Sequence, residues 1–416
     1  MSAVEILFAY PRRAAGCLAA LALACSSAAS HDESAQTGSR ARDPGANRTL
    51  AAEFGLEPPV VPGCGDAQLY QVSDDPGEAG PWPVGVKTAT VGLFSPTTVE
   101  IWYPAVRGSE AGQEPATYDI TSWLPEGQAA KLQPGDNYPQ TCDCYRDLPI
   151  DDAHGPYPGV VFVHGTGSFR TASLSTMTQW ASRGFVVVAA DHLGFYLKDI
   201  LALASLGECD GSGVLVPDLS GDIDAEIAAL TEASGDFAFL GDAVDSTRLA
   251  VAGHSLGAQA AAEASTKPNV QVVIPLSTPT GSSPSPSLKS TLIVAGLADT
   301  VWDYATNTAA YQSSPAPKRL VGIEGANHLD VTDLCSVTNA SGQTSIEVGN
   351  ERGICGMWLL NALAQCGSMD DPKKGPEIVN YASTAALEET LHCQDRGDAF
   401  ALLTTRFWEV GDSQQE

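Results

Sequence analysis

Residues 249–257 constrain this chain more than any other segment: they read Leu-Ala-Val-Ala-Gly-His-Ser-Leu-Gly. A short apolar run ends in Gly253-x-Ser255-x-Gly257, and small residues follow at Ala258, Ala260, Ala261 and Ala262. This is the form of a buried strand, a tight strained turn and a helix. The turn lifts Ser255 clear of the backbone, and the two glycines let strand and helix approach closely. A serine hydroxyl is a weak nucleophile at neutral pH. Such a serine needs a base, an acid to orient that base, and N–H donors for the developing oxyanion.

The pattern around the turn predicts the sheet that carries it. Apolar runs at 157–163, 184–190, 249–252, 270–276, 291–295 and 318–323 alternate with helical stretches at 173–183 and 222–233. Ile223, Ile227 and Leu230 share one face of the second helix. Continuous apolar strands separated by helices predict an α/β fold. Its central sheet is mostly parallel and covered on both faces, with the active site at the carboxyl ends of the strands. Two extended runs, 84–93 and 98–103, come before it.

In such a sheet the chain order is serine, acid, histidine. Downstream of Ser255 stand only His328 and His392. His328 lies in Gly325-Ala-Asn-His-Leu, just past the run 318–323, on a loop at a strand's carboxyl end, and is the expected base. His392 falls late in a terminal helix beside Cys393. Asp299, at the first turn past the run 291–295, is the expected acid, with Asp303 as runner-up in a capping or lining role. The oxyanion donors are expected to be the backbone N–H groups of Leu256 and of Thr166, in the loop His164-Gly165-Thr166-Gly167-Ser168. His164 is read as bracing that loop, and His192 and His254 as structural or pocket-lining. Nothing in this chemistry requires a cofactor or a metal.

The 416 residues carry a net charge of −28, which excludes a nucleic-acid partner by repulsion from the phosphate backbone. Arg12 and Arg13, an apolar stretch at 14–25 and small residues at 26–30 read as an export signal over 1–29. The apolar stretch is too short to span a membrane. Two processing routes compete. Cleavage after Ala29 releases a soluble protein, and cleavage before Cys25 leaves a lipid-modified cysteine that anchors the chain to a membrane. Twin-arginine export is a weaker reading. Of ten cysteines, Cys17 goes with the signal and Cys25 is removed or lipidated, which leaves eight for disulfides. Cys142-x-Cys144 lacks the second pair that a metal site needs. Residues 30–62 read as a disordered tether and 63–416 as a single catalytic domain, expected to be monomeric. An insertion is expected at 105–157, and a cap at 330–375.

These residues resemble the α/β-hydrolase superfamily. Within it, the chain looks most like the group of plasma-type platelet-activating-factor acetylhydrolases, dienelactone-hydrolase-like esterases and bacterial polyester hydrolases. The resemblance rests on Gly80-Pro-Trp-Pro-Val-Gly-Val, Val99-Glu-Ile-Trp-Tyr-Pro, Gly155-Pro-Tyr-Pro-Gly-Val-Val-Phe-Val-His-Gly, Trp180-Ala-Ser-Arg-Gly-Phe-Val-Val-Val-Ala-Ala-Asp-His and Asp245-Ser-Thr-Arg-Leu-Ala-Val-Ala-Gly-His-Ser-Leu-Gly. It covers roughly 80–395. It implies an exported serine hydrolase acting on a small-molecule or lipid carboxylic ester through an acyl-enzyme. A phospholipid acetylhydrolase or a polyester hydrolase is the alternative. A non-catalytic binding protein on the same fold is the reading from another class. Thr166 stands where many polyester hydrolases carry an aromatic residue, which counts against polyester activity.

Overall fold

The computed structural model describes residues 58–92, 96–137, 139–214, 216–363 and 365–416. The expected signal and most of the expected tether, with Cys17 and Cys25, lie outside the described residues.

Fourteen strands are present among the described residues. They are β1 (Val60–Pro62), β2 (Gln68–Tyr70), β3 (Val84–Val91), β4 (Thr97–Pro104), β5 (Thr117–Tyr118), β6 (Gln140–Thr141) and β7 (Cys144–Arg146). There follow β8 (Tyr157–Val163), β9 (Val186–Ala190), β10 (Val244–His254), β11 (Val270–Leu276), β12 (Ser290–Gly296), β13 (Lys318–Ile323) and β14 (Val410–Gln415). Ten form one sheet in the order β14-β13-β12-β11-β10-β8-β9-β4-β3-β7. The six from β13 to β9 run parallel. Antiparallel strands β14 and β4 flank them. This is the α/β-hydrolase arrangement that the sequence predicts.

Side chains of β8 show why the parallel strands read as unbroken apolar runs. Val160 and Phe162 enter one core, while Tyr157, Val161 and Val163 enter the other. The first face is covered by the helices Leu174–Ser182 and Lys374–Leu391, through Met177, Trp180, Ile378 and Ala382. The second is covered by the helices Leu219–Glu232 and Leu256–Glu263, through Ile223, Leu230 and Ala261.

Three expectations need correction. Val60–Pro62, inside the expected tether, pairs with β2; two valines before a proline are too few to show a period. The insertion 105–157 is not wholly irregular, since β7 joins the edge of the main sheet beside β3. Lys318–Ile323 is not the last strand, because β14 closes the other edge. The sequence Val-Gly-Asp-Ser-Gln-Gln hides β14, for an exposed edge strand needs few apolar residues.

All eight remaining cysteines are paired: Cys64–Cys393, Cys142–Cys144, Cys209–Cys355 and Cys335–Cys366. Four disulfides mark a protein that matures in an oxidising, extracytoplasmic compartment. Among the described residues no helix is long and apolar enough to cross a membrane.

A buried ion cluster fastens the segment 73–78 to the helix Lys374–Leu391 and the residues just after it. Arg183, at the end of the helix Leu174–Ser182, donates to Glu388 at 2.5 and 3.1 Å and to the carbonyls of Ser73, Asp75 and Glu78. Arg396 donates to the same carboxylate at 2.7 Å. Arg183 and Glu388 are both fully buried. Glu388→Gln should therefore cost about 3–5 kcal/mol, because it leaves buried guanidinium charge uncompensated. Denaturant unfolding of the two proteins checks this, and equal midpoints would refute it.

Candidate active site

Strand register brings the expected residues to one edge. Gly253 of β10 lies opposite Val163 of β8 and Pro275 of β11. The loop that follows Val163 therefore starts beside the turn at Ser255. Gly296 of β12 pairs with Ile323 of β13, so Asp299 and His328 leave neighbouring strand ends.

Ser255 sits between β10 and the helix Leu256–Glu263 at φ 59° and ψ −121°, a conformation that few non-glycine residues adopt. The flanking glycines answer to contact. A Cβ on Gly257 would lie 2.2 Å from the Val163 carbonyl oxygen and 2.5 Å from that of His164. One on Gly253 would meet the Gly257 carbonyl oxygen at 2.4 Å. The turn thus presses directly on the start of the expected oxyanion loop.

From Ser255 a line of hydrogen bonds leads inward. His328 Nε2 lies 2.8 Å from Ser255 Oγ, and His328 Nδ1 lies 2.8 Å from Asp299 Oδ2. The other oxygen of Asp299 accepts the N–H groups of Val301 at 2.8 Å and Trp302 at 2.9 Å. Burial pushes the Asp299 carboxyl up, but the bonds from His328 and these two amides outweigh it and hold the group below the usual carboxylate range. Asp299 is then an anion over the physiological range, able to fix the tautomer of His328. Asp303, the runner-up, instead caps the helix Tyr304–Ser313 by accepting the N–H of Ala305.

Thr166 lies on the loop after β8, and its N–H donates to no acceptor among the described residues. The N–H of Leu256 belongs to the first turn of its helix, where amides have no partner within the helix. His164 Nδ1–H donates to the Gly165 carbonyl at 2.8 Å, and His164 Nε2 accepts the N–H of His192. That carbonyl and the Thr166 N–H belong to one peptide plane, so the bond fixes the direction of the Thr166 N–H. His192 in turn contacts Asp222 at 2.9 Å. His392 is distant from this edge; it packs on Phe185 and donates to the Gly184 carbonyl.

The insertion 105–157 and the segment expected to form a cap both reach the expected oxyanion loop or the residues just after it, which the sequence did not reveal. Trp123 stacks on Phe169 with ring centroids 4.5 Å apart, and its indole N–H donates to Asp191. Arg170 joins Asp191 and Glu100, and Arg146 also reaches Glu100. From the other side, a Cβ on Gly167 would lie 2.5 Å from Leu360 and 3.3 Å from Ile200. Leu360 belongs to the helix Met357–Leu363, inside the segment expected to form a cap. Asp330, Cys335 and Cys366 gather nearby, but the two sulfurs are bonded to each other and offer a metal no thiolate.

Three histidines are buried and held neutral. Burial drives His164 well below its usual value and His254 and His392 down to about 3. In the unfolded chain these groups take up protons near about pH 6.5. Their neutral form is therefore no handicap above that pH, and stability falls as pH drops from there toward about 3, by up to about 1.4 kcal/mol per pH unit for each histidine. Denaturant unfolding at about pH 7 and about pH 5 measures the loss. His392→Gln, which keeps an N–H for the Gly184 carbonyl, should lessen it; an unchanged slope would count against this account.

Comparison with known proteins agrees with this architecture. The family model for platelet-activating factor acetylhydrolase, isoform II, matches residues 70–195, from β2 through the expected oxyanion loop to the segment after β9. No curated protein sequence matches the chain. Among solved structures, a ferulic acid esterase from Streptomyces cinnamoneus is similar in fold, with a TM-score of 0.51 and 17% identity, over 75% of this chain and 91% of that one. Both similarities fall within the α/β-hydrolase esterase group.

Proposed function

We propose that this α/β-hydrolase-fold chain is an exported serine hydrolase of carboxylic esters. The observation that carries the reading is the continuous hydrogen-bonded line Asp299–His328–Ser255 at the end of a strained strand-to-helix turn. Ser255 Oγ attacks the ester carbonyl carbon while His328 Nε2 takes its proton. The Leu256 and Thr166 N–H groups receive the oxyanion. The tetrahedral intermediate collapses, the C–O bond to the alcohol breaks, and the alkoxide leaves with the proton from His328. Water, deprotonated by His328, then attacks the acyl-enzyme, and the acid departs as Ser255 regains its proton. Asp299 stays ionised and holds the imidazolium.

The match at 70–195 favours a short acyl group on a lipid-like alcohol. Nitrophenyl esters of rising acyl length test the hydrolase reading and the acyl preference. Wild type should hydrolyse them with acetyl preferred, Ser255→Ala should lose at least about 10⁴-fold in kcat, and Asp299→Asn about 10⁴-fold. A rate unchanged in Ser255→Ala would end the ester-hydrolase reading. A wild type with no turnover would leave the binding-protein reading in its place.

Lipid attachment at Cys25 is the proposed anchor. A fatty-acid probe fed to producing cells should label the wild type and not Cys25→Ser. Absence of label on the wild type would favour release as a soluble protein.

A further inference from the structure

Two buried neighbours of the triad, His254 and Asn327, grip the backbone of His328 at both ends. His254 Nε2–H donates to the His328 carbonyl at 2.8 Å. The side-chain oxygen of Asn327 accepts the His328 N–H at 2.8 Å. That same oxygen accepts the N–H and the hydroxyl of Thr300, at 2.9 and 3.1 Å. His254 precedes Ser255 in the chain, and Thr300 follows Asp299. Nucleophile, base and acid are thus joined by a second circuit that runs through backbone groups and avoids the reacting atoms.

We propose that His254 and Asn327 are positioning residues that fix the spacing of Ser255, His328 and Asp299 through this circuit. The inference rests on the triad reading above and deepens it. The triad's own bonds cannot serve as its frame. The bond between His328 and Ser255 is broken and remade in each half-reaction, as the proton moves onto Nε2 and back. The base also stands on a loop past the end of β13, where no strand partner holds its peptide groups. Hydrogen bonds to the backbone of His328 persist whichever protonation state its ring adopts.

The chemistry of both clamps suits that task. Asn327 is neutral at every pH. The His254 ring lies 4.8 Å from that of His328, and a positive charge there would oppose formation of the imidazolium. Burial, and next to it the repulsion from a charged His328, keep the His254 pKa down at about 3, so it donates one N–H without adding charge. The other face of His254 abuts the oxyanion loop: a Cβ on Gly165 would lie 2.7 Å from His254 Nδ1. The Asn327 N–H is held in turn by the Asp330 carboxylate at 2.8 Å, which fixes the clamp itself.

The test compares isosteric losses with variants that restore the lost group. His254→Phe and Asn327→Leu fill the space and remove the donor and the acceptor. His254→Gln and Asn327→Asp put an N–H and an oxygen back within reach. Rates are counted per serine titrated with a chromogenic phosphonate, so unfolded molecules do not enter. The loss variants should lower kcat by roughly 10- to 100-fold with KM within about threefold, as displacement of a positioned group does. The restoring variants should recover most of that loss. A merely structural role would reduce the titrated fraction and the melting temperature while leaving kcat per serine unchanged. If His254→Phe yields no titratable protein, the Asn327 pair tests the same circuit from the acid's side. Loss variants within twofold of wild type, or restoring variants as slow as the loss variants, overturn the proposal. Ser255→Ala, measured in parallel, separates the two readings. If it stays active, the triad reading falls and this one with it. If it is inactive while the loss variants run at full rate, only the clamp is refuted.

Discussion

Everything at the active edge depends on how closely β10 approaches β8. The turn at Ser255 can sit against the carbonyls of Val163 and His164 only because Gly253 and Gly257 have no side chains. That contact brings the serine beside the loop that carries Thr166, and it holds Ser255 in a conformation that an isolated chain would not adopt. Sheet and helix must be packed before the serine is presented. The strain at one residue is therefore sustained by a core that spans the six parallel strands.

Around this contact the chain places its polar groups in layers. Nearest the serine, His328 and Asp299 form the hydrogen-bonded line proposed to carry the reaction. Behind them, Asn327, Thr300 and His254 hold the loops, mostly through backbone groups. Farther out, the loop proposed to hold the oxyanion is fastened by the charged set Glu100, Asp191, Arg146 and Arg170, with Trp123 of the insertion stacked above Phe169. The two insertions also meet each other: Arg352 pairs with Asp136 at 2.6 Å, and Gln128 accepts the N–H of Cys355. What reads as loop-rich elaboration in the sequence is thus bound to the edge that carries Ser255 from two sides.

The legible and the hidden parts differ for physical reasons. β8, β11 and β13 match their apolar runs end to end, because strands buried on both faces can use little else. Ser255, Asp299 and His328 could be singled out because each follows such a run by a short, countable distance. Asn327 could not, since an asparagine before a histidine has no pattern; only the loop fold shows its oxygen accepting three bonds. Trp123 and Leu360 were hidden for a related reason. They lie 43 and 194 residues from Thr166 in the chain, and nothing local couples them to it. β14 was missed because an exposed edge strand needs few apolar residues, and Val410 is its single large one.

The sequence by itself determined the fold class, the strained serine turn and the order of the residues that follow it. These are set by local requirements: apolar runs that must be buried, glycines that must make room, and carboxylate and imidazole groups at strand ends. It also determined that eight cysteines would be available, but not how they would pair. Tertiary structure alone decided the disulfide partners, the docking of the insertion and the expected cap on the loop that carries Thr166, and the hydrogen bonds to the backbone of His328. Apart from the Cys142–Cys144 bridge and the bond from the His328 N–H to its neighbour Asn327, each of those is a contact between segments far apart in the chain. Such contacts arise from how the sheet twists and what its helices leave open, and no short stretch of residues encodes that.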